Sequence, residues 1–465
     1  MTPTKQDHAL PPNFAERFSR WLGDEAPAFF TALAGRDVGL RLNPLRGPLE
    51  TLLARMPWQT QPVPWCPEGL RLQEQAHVGS HPYHAAGVFY VQDPSAMAAG
   101  ALLDPRPGEW VLDVAAAPGG KATHLAARMA GQGVLVANEV VGRRTAALAE
   151  NLERMGVTNA LVTQEHPDRL AERWESLFDA LLVDAPCSGE GMFFHNPQAL
   201  RDWSLAAVEG NARRQQMLLD QAAPLARPGG RLLYSTCTFS PEENEGVVAE
   251  FLARHSDFAL ADLPPLPGLS PGRPEWVGAP EEIGRSGRLW PHRGPGHGHF
   301  YALLRHKGRA RHYVPPRRFD TRLPGRVLNL YRKGLRQVLV QPPPEEGLLL
   351  AGNDELYVTP MDPALWTGLH VLRPGWRVAY LRHGEVEADH ALAVALRPEE
   401  AQRSVNLEVD DPRVVQYLRG SPWLDDGPAG RVLVTVDGFP LGWARRGGGR
   451  LTSRYPIHLR QKGSL

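Results

Sequence analysis

Between residues 100 and 255, short apolar runs alternate with longer stretches in which apolar residues recur at helical spacing. The runs at 110–114, 134–137, 160–163, 180–183 and 231–234 predict strands. The stretches at 122–129, 143–155, 211–225 and 242–255 predict helices. Such alternation predicts an α/β fold, a parallel sheet with helices on both faces. Ligands of these sheets sit at the carboxyl ends of the strands, so chemistry is sought there first. Upstream, Phe14, Phe18, Trp21 and Leu22 stand at helical spacing among Pro-rich joints and predict a small helical N-terminal module. Downstream, Pro and Gly crowd 259–298 and predict a long loop, after which 299–304 predicts a late strand that closes the sheet.

Composition changes this picture little. The 465 residues are 42% hydrophobic and 22% charged, ordinary globular usage that excludes a disordered or fibrous chain. No apolar run approaches the ~18–20 residues that cross a bilayer. The start, Met1-Thr2-Pro3-Thr4-Lys5-Gln6-Asp7, is polar with no apolar signal region behind it. Three cysteines cannot build a disulfide framework and suit a reducing compartment. A cytoplasmic protein is expected.

Charge says more. The 51 basic and 51 acidic residues balance overall, but not locally. Residues 305–336 hold eleven Lys and Arg against one acid, Asp320; 337–442 hold sixteen acids against eight bases; the last 23 hold six bases and no acid. This segregation predicts a C-terminal module after about residue 310. Tyr313, Phe319 and Tyr331 interleave the first basic run, a pattern suited to phosphate contact and base stacking. Arg outnumbers Lys 46 to five, which suits phosphate recognition, but a GC-rich coding bias explains the skew without function and is the favoured reading.

Candidate chemistry falls at the strand ends. After the first core strand comes Asp113-Val114-Ala115-Ala116-Ala117-Pro118-Gly119-Gly120-Lys121, a turn of small residues that lets backbone approach a ligand closely. Glu139 ends the second strand, where an acid accepts hydrogen bonds from ribose hydroxyls. Together these predict a nucleoside cofactor. Cys187 follows the fourth strand in Asp184-Ala185-Pro186-Cys187-Ser188-Gly189-Glu190, and Cys237 follows the fifth in Ser235-Thr236-Cys237-Thr238. Neighbouring strands lie ~5 Å apart, so the two thiols can converge on one pocket. Cys66 has no such company and is expected to pack. A thiolate adding to cytosine C6 turns C5 into an enamine carbon able to attack a sulfonium methyl. The addition needs an acid at N3, which Asp184 can supply, and a second thiol is useful for release.

These residues resemble the NOL/NOP/Sun RNA (cytosine-5) methyltransferases. The resemblance rests on Pro118-Gly119-Gly120-Lys121, Asp184-Ala185-Pro186-Cys187, Ser235-Thr236-Cys237-Thr238 and Pro241-Glu242-Glu243-Asn244-Glu245. It extends to Arg41-Leu42-Asn43-Pro44-Leu45, Gln92-Asp93-Pro94-Ser95, Arg288-Leu289-Trp290-Pro291-His292 and Gly298-His299-Phe300. Val436-Asp437-Gly438-Phe439-Pro440 and Tyr455-Pro456 are similar to the PUA-like end of bacterial RsmF-type members.

The resemblance implies an N-terminal α/β, RNA-binding-like module at 1–85, a class I methyltransferase core at 86–307, and C-terminal modules at 308–465, PUA-like at the end. It implies S-adenosylmethionine, held by Ala115, Ala116, Ala117, Pro118, Gly119, Gly120, Lys121, Glu139 and Asp184. Cys237 is implied as nucleophile, Cys187 as the thiol that helps break the adduct, and Asp184 as the group at the N3 edge. The implied partner is small-subunit ribosomal RNA or the subunit itself, for a monomer with no membrane or metal. Transfer RNA as substrate, and a noncatalytic assembly factor, stay open as alternatives. Where such members carry an adenine-holding acid after the third strand, this chain reads Thr163-Gln164-Glu165-His166, and the contact is unassigned.

Overall fold

The computed structural model describes residues 10–308 and 323–461, apart from Arg36, Gln75 and Asn353. Its centre is a doubly wound sheet. Strands β1 (Trp110–Asp113), β2 (Val134–Asn138), β3 (Ala160–Thr163), β4 (Phe178–Asp184) and β5 (Ala226–Thr236) run parallel, and β6 (His299–His306) pairs antiparallel with β5. The order is β6-β5-β4-β1-β2-β3. Strand order reverses between β4 and β1, which opens a crevice at their carboxyl ends. Pairing aligns Asp113 with Leu182 and Asp184 with Ser235, so the candidate residues share one edge of the sheet.

Both faces of the sheet are covered, which is why β1, β2 and β3 read as continuous apolar runs. Val111, Leu135, Leu182 and Leu233 point to one face, and Leu112, Val136, Leu181 and Leu232 to the other. Helices α1 (Gly120–Arg128), α2 (Gly142–Arg154), α3 (Leu205–Ala222) and α4 (Glu245–Arg254) cover them. Strand β5 begins five residues before the predicted run. Its partner register jumps from Phe178–Ala226 to Ala180–Arg231, so Pro228, Gly229 and Gly230 form a bulge inside one strand. At the far edge, Val371–Arg373 from the C-terminal part pairs antiparallel with β3, an extension the apolar pattern did not predict.

The N-terminal part is α/β, as the resemblance implies, and richer than the helical module that the apolar spacing alone predicts. Helices at Pro12–Leu22 and Ala26–Leu33 precede an antiparallel four-stranded sheet (Gly39–Leu42, Thr60–Val63, Cys66–Leu72, Phe89–Val91). The helices do not pack on that sheet. Phe14, Phe18 and Phe29 instead form one cluster with Phe193, Trp203, Phe239 and Trp290, beneath the loops that carry Cys187 and Cys237. The sheet shares its core with a final five-stranded sheet (Ser404–Leu407, Trp423–Leu424, Gly430–Val436, Phe439–Gly447, Arg450–Ser453). Tyr83 donates to Asp437 at 2.6 Å across that contact.

Between core and final sheet lie a helix at Gly325–Arg336 and four antiparallel strands (Leu348–Ala351, Glu355–Val358, Trp376–Arg382, Glu385–Ala388). Here one expectation fails. Tyr331, read as a base-stacking aromatic, is fully buried in this module's core, and its hydroxyl donates to the Pro343 carbonyl. It faces inward because Tyr331 and Leu335 form the apolar stripe of an amphipathic helix. Tyr313 and Phe319 lie outside the described residues. Among the described residues no helix is long and apolar enough to cross a membrane.

Candidate active site

The turn after β1 is held from every side. The Ala116 amide donates to the Asn138 carbonyl at 2.7 Å, Arg144 donates to the Ala117 carbonyl at 2.6 Å, and Asn151 donates to the Pro118 carbonyl at 2.9 Å. Gly119 adopts φ 111° and abuts Leu148 and Asn151, so a side chain there would meet both strain and crowding. The buried Arg41 reaches across from the N-terminal sheet to the Gly120 carbonyl and, at 2.7 Å, to Thr123. Its motif was visible in the sequence, but its reach to this turn was not.

Two acids frame the turn. Glu139 is buried; it accepts from the Val141 amide at 2.9 Å and pairs with Arg144 at 3.0 Å. Asp113 is buried, and apart from the nearby Ala115 amide its carboxylate oxygens find no partner. Burial, then the charge of Asp184, push its carboxyl up to about 8. An orphaned buried carboxyl is costly unless a ligand supplies its partner. The observation suits a cationic group, such as the ammonium end of an amino-acid-bearing cofactor. Strand-end position was the available sequence signal for Asp113. His166, nearest the expected adenine-contacting position, is exposed where the helix Pro167–Trp174 begins.

The sulfurs of Cys187 and Cys237 lie 3.4 Å apart. Convergence follows from adjacent strands: Asp184 and Ser235 are paired, and each loop carries its thiol a few residues on. The Cys187 thiol is held well above the usual range, first by donating to Cys237 and then by burial. Beside the pair, Lys121 Nζ donates to Asp184 Oδ2 at 2.8 Å, and Ser235 donates to Asp184 Oδ1 at 2.7 Å. Burial alone would raise the Asp184 carboxyl, but Lys121, His299 and Ser235 outweigh it and bring it below the ordinary value. Lys121 is raised in turn, since burial is outweighed by Asp184, Cys237 and Asp113. Its ammonium therefore faces Asp184 and the thiol side of the crevice.

The remaining acids nearby are scaffold. Glu190 is fully buried; it accepts from Trp203 Nε1 and from the amides of Phe239 and Ser240, each at 2.8 Å, and from the Ser240 hydroxyl. No lone pair is left over for proton traffic at the thiols. Glu243 accepts from the Ser188 amide at 3.0 Å and Gln215 at 2.8 Å, and burial followed by Glu190's charge raises it to about 8. Glu245 pairs with the buried Arg288, which also donates to the Phe239 carbonyl at 2.9 Å. The motif at 241–245 thus clamps the Cys237 loop. Cys66 packs apart, beside Glu68 and His124, whose ring nitrogen lies 2.8 Å from Glu68. Burial pushes the Cys66 thiol up to about 12, so it stays protonated.

Family models match along nearly the whole chain: the N-terminal domain of 16S rRNA methyltransferase RsmF at 10–94, 16S rRNA methyltransferase RsmB/F at 100–305, the RsmF rRNA methyltransferase first C-terminal domain at 335–396, and the methyltransferase RsmF PUA domain at 404–461. Ribosomal RNA small subunit methyltransferase F of Enterobacter sp. (strain 638) is 32% identical, covering 97% of this chain and 97% of its own. The chain belongs to the RsmF family. The Aeromonas hydrophila family member is 33% identical over 92% of this chain and 91% of its own. A methyltransferase homolog protein from Pyrococcus horikoshii has a TM-score of 0.57 at 32% identity, over 64% of this chain and 96% of that one. NSun6 from Pyrococcus horikoshii, solved with SFG, shares the fold at a TM-score of 0.57 and 23% identity, over 65% of this chain and all of that one. The RsmF-type PUA match coincides with the final five-stranded sheet, and the N-terminal match takes in the strand Phe89–Val91.

Proposed function

We propose that this chain transfers a methyl group from S-adenosylmethionine to C5 of a cytosine in small-subunit (16S) ribosomal RNA, through a covalent bond from Cys237 to C6. The observation that carries the reading is two reduced thiols 3.4 Å apart at adjacent strand ends, beside a Lys121–Asp184 pair. The residues of the turn fit the cofactor. Ala115, Ala116, Ala117, Pro118, Gly119 and Gly120 bring backbone to it, Glu139 takes its ribose, and the orphaned Asp113 takes its ammonium. When bound there, it supplies an electrophilic methyl on a sulfonium.

The chain's own groups do the rest. The Lys121 ammonium lies on the thiol side of the crevice, and Asp184, a carboxylate oriented by Lys121 and Ser235, accepts at the N3 edge of the base, from the N4 amino group and from N3 once that nitrogen is protonated. Attack of the Cys237 sulfur on C6 makes C5 nucleophilic. After transfer, solvent water takes up the C5 proton, and the C5–H electron pair reforms the C5–C6 double bond and expels the sulfur. The Cys187 thiol, kept protonated, donates to the departing sulfur and steadies it as thiolate. This chemistry calls for no metal, and in this reading the protein works as a cytoplasmic monomer. The division at 1–85, 86–307 and 308–465 assigns RNA contact to the two flanking parts.

Labelled S-adenosylmethionine incubated separately with small-subunit rRNA and with transfer RNA tests the reading. Label recovered as 5-methylcytosine in the ribosomal RNA supports it. Transfer only to transfer RNA reassigns the substrate, and transfer to neither RNA refutes the enzymatic account.

A further inference from the structure

Two thiols held side by side can react with each other as well as with a base. The Cys187 and Cys237 sulfurs lie 3.4 Å apart, and a further approach of about 1.4 Å reaches the ~2.05 Å of a disulfide. The backbone is already set for it. Asp184 and Ser235 are paired on neighbouring strands ~5 Å apart, inside the ~4.4–6.8 Å Cα span that a disulfide bridges. Beyond the strands the two loops stay joined. The Ala185 amide donates to the Ser235 carbonyl at 2.9 Å, the Ser188 and Thr238 hydroxyls meet at 2.7 Å, and the Gly191 amide donates to the Cys237 carbonyl at 3.0 Å. These ties lie on both sides of the thiols and keep them facing. Both thiols are half-buried, whereas Cys66 is buried in the core.

We propose that Cys187 and Cys237 form a reversible oxidation site, which hydrogen peroxide closes into an intramolecular disulfide and a thiol reductant reopens. Closure stops methyl transfer and leaves the cofactor side of the crevice intact. The Cys237 sulfur must ionise to attack a pyrimidine, and in that state it also attacks a peroxide oxygen. The O–O bond breaks, hydroxide leaves with the electron pair, and Cys237 becomes a sulfenic acid. The Cys187 sulfur then displaces the hydroxyl. The S–S bond forms, the S–O bond breaks, and the Cys187 proton leaves with the hydroxyl as water. The hydroxide takes the proton that Cys237 gave up on ionising. Two thiols and one hydrogen peroxide thus give one disulfide and two waters, and the sulfurs lose the two electrons that the peroxide gains.

The bond takes away the sulfur that attacks C6 and the thiol that assists release. It does not reach the cofactor turn, which Asn138, Arg144 and Asn151 hold from the other side. Capture by Cys187 also spares Cys237 from further oxidation to a sulfinic acid, which thiols do not reverse. In a reducing compartment such a bond is transient, as a sensing pair requires. Cys66 takes no part, since it packs beside Glu68 and His124 with its thiol kept protonated.

The regulation rests on the proposed function, whereas formation of the bond does not, and the test reads the two separately. The reduced full chain is treated with hydrogen peroxide, alkylated in denaturant, digested and analysed by mass spectrometry. The same samples are assayed for methyl transfer to small-subunit rRNA and for equilibrium binding of S-adenosylmethionine. Expected are a Cys187–Cys237 linked peptide, loss of transfer in step with the linked fraction, and recovery of both thiols and activity with dithiothreitol. Cofactor affinity should hold within about twofold of the reduced chain. Cys66→Ala should link in the same way, and in Cys187→Ser the Cys237 thiol should proceed to a sulfinic acid that dithiothreitol does not restore. Inactivation with the two peptides unlinked, a link to Cys66 or to a second chain, or cofactor affinity lost on linkage overturns the proposal. A reduced parent that methylates no RNA refutes the function and the regulation drawn from it, while the linked peptide alone decides whether the thiols pair.

Discussion

Asp113 and Asp184 end neighbouring strands of one sheet, yet their surroundings drive them in opposite directions. Asp184 has Lys121 at 2.8 Å and Ser235 at 2.7 Å and is held below its ordinary value. Asp113 has neither, and burial raises it to about 8. The difference divides the crevice. Asp184 is satisfied by the protein itself and preorganised, as a group must be that meets a substrate in one defined geometry. Asp113 is left wanting a cation, as suits a group whose partner arrives with the cofactor.

Exchanging each acid for its amide tests the division. The larger effect is expected from Asp184→Asn, which keeps the shape but loses the charge that orients Lys121. It should lower kcat by about 10²–10³-fold and leave cofactor affinity nearly unchanged in equilibrium binding. Equal losses of affinity in both amide variants would erase the distinction between the two sides.

Asp113→Asn should do the reverse, weakening cofactor binding by about ten- to a hundredfold with a smaller effect on kcat at saturation. It also carries a stability signature. The folded state keeps a proton on Asp113 that the unfolded state has lost, so stability falls as pH rises from about 4 to about 8. The amide removes this slope. Without cofactor, Asp113→Asn should melt higher than the parent at pH 8 and show little difference at pH 5. Glu243, also raised to about 8, keeps a residual slope in both proteins. A variant that melts lower at pH 8 would mean that the Asp113 charge is satisfied by the fold.

These differences were only partly legible in the chain. Strand ends were readable because β1 to β4 are apolar runs of four to seven residues bounded by turn residues, and the thiols and acids follow them directly. The N-terminal sheet was not, since Arg41, Glu68 and Arg71 interrupt its short strands and Pro62 and Pro67 read as breaks. Arg41 and Glu68 are buried there because each finds a partner, in the Gly120 turn and in His124. Motif residues looked alike in sequence but separate in space. Glu190 stands three residues from Cys187 and is wholly spent on the loop that carries Cys237, whereas Lys121, grouped with the cofactor turn, reaches Asp184. Side-chain reach across strands has no local sequence signal. Tyr331 shows the same limit, an aromatic in a basic run that serves a hydrophobic core.

The central claim is that the Cys237 sulfur bonds to the pyrimidine and that Cys187 acts afterwards. Cys187→Ala incubated with rRNA and S-adenosylmethionine, then run on a denaturing gel, tests both halves at once. The account predicts a stable protein–RNA band that maps to Cys237 after digestion and disappears in the Cys187→Ala, Cys237→Ala double variant. No band, or a band that survives loss of Cys237, would contradict it.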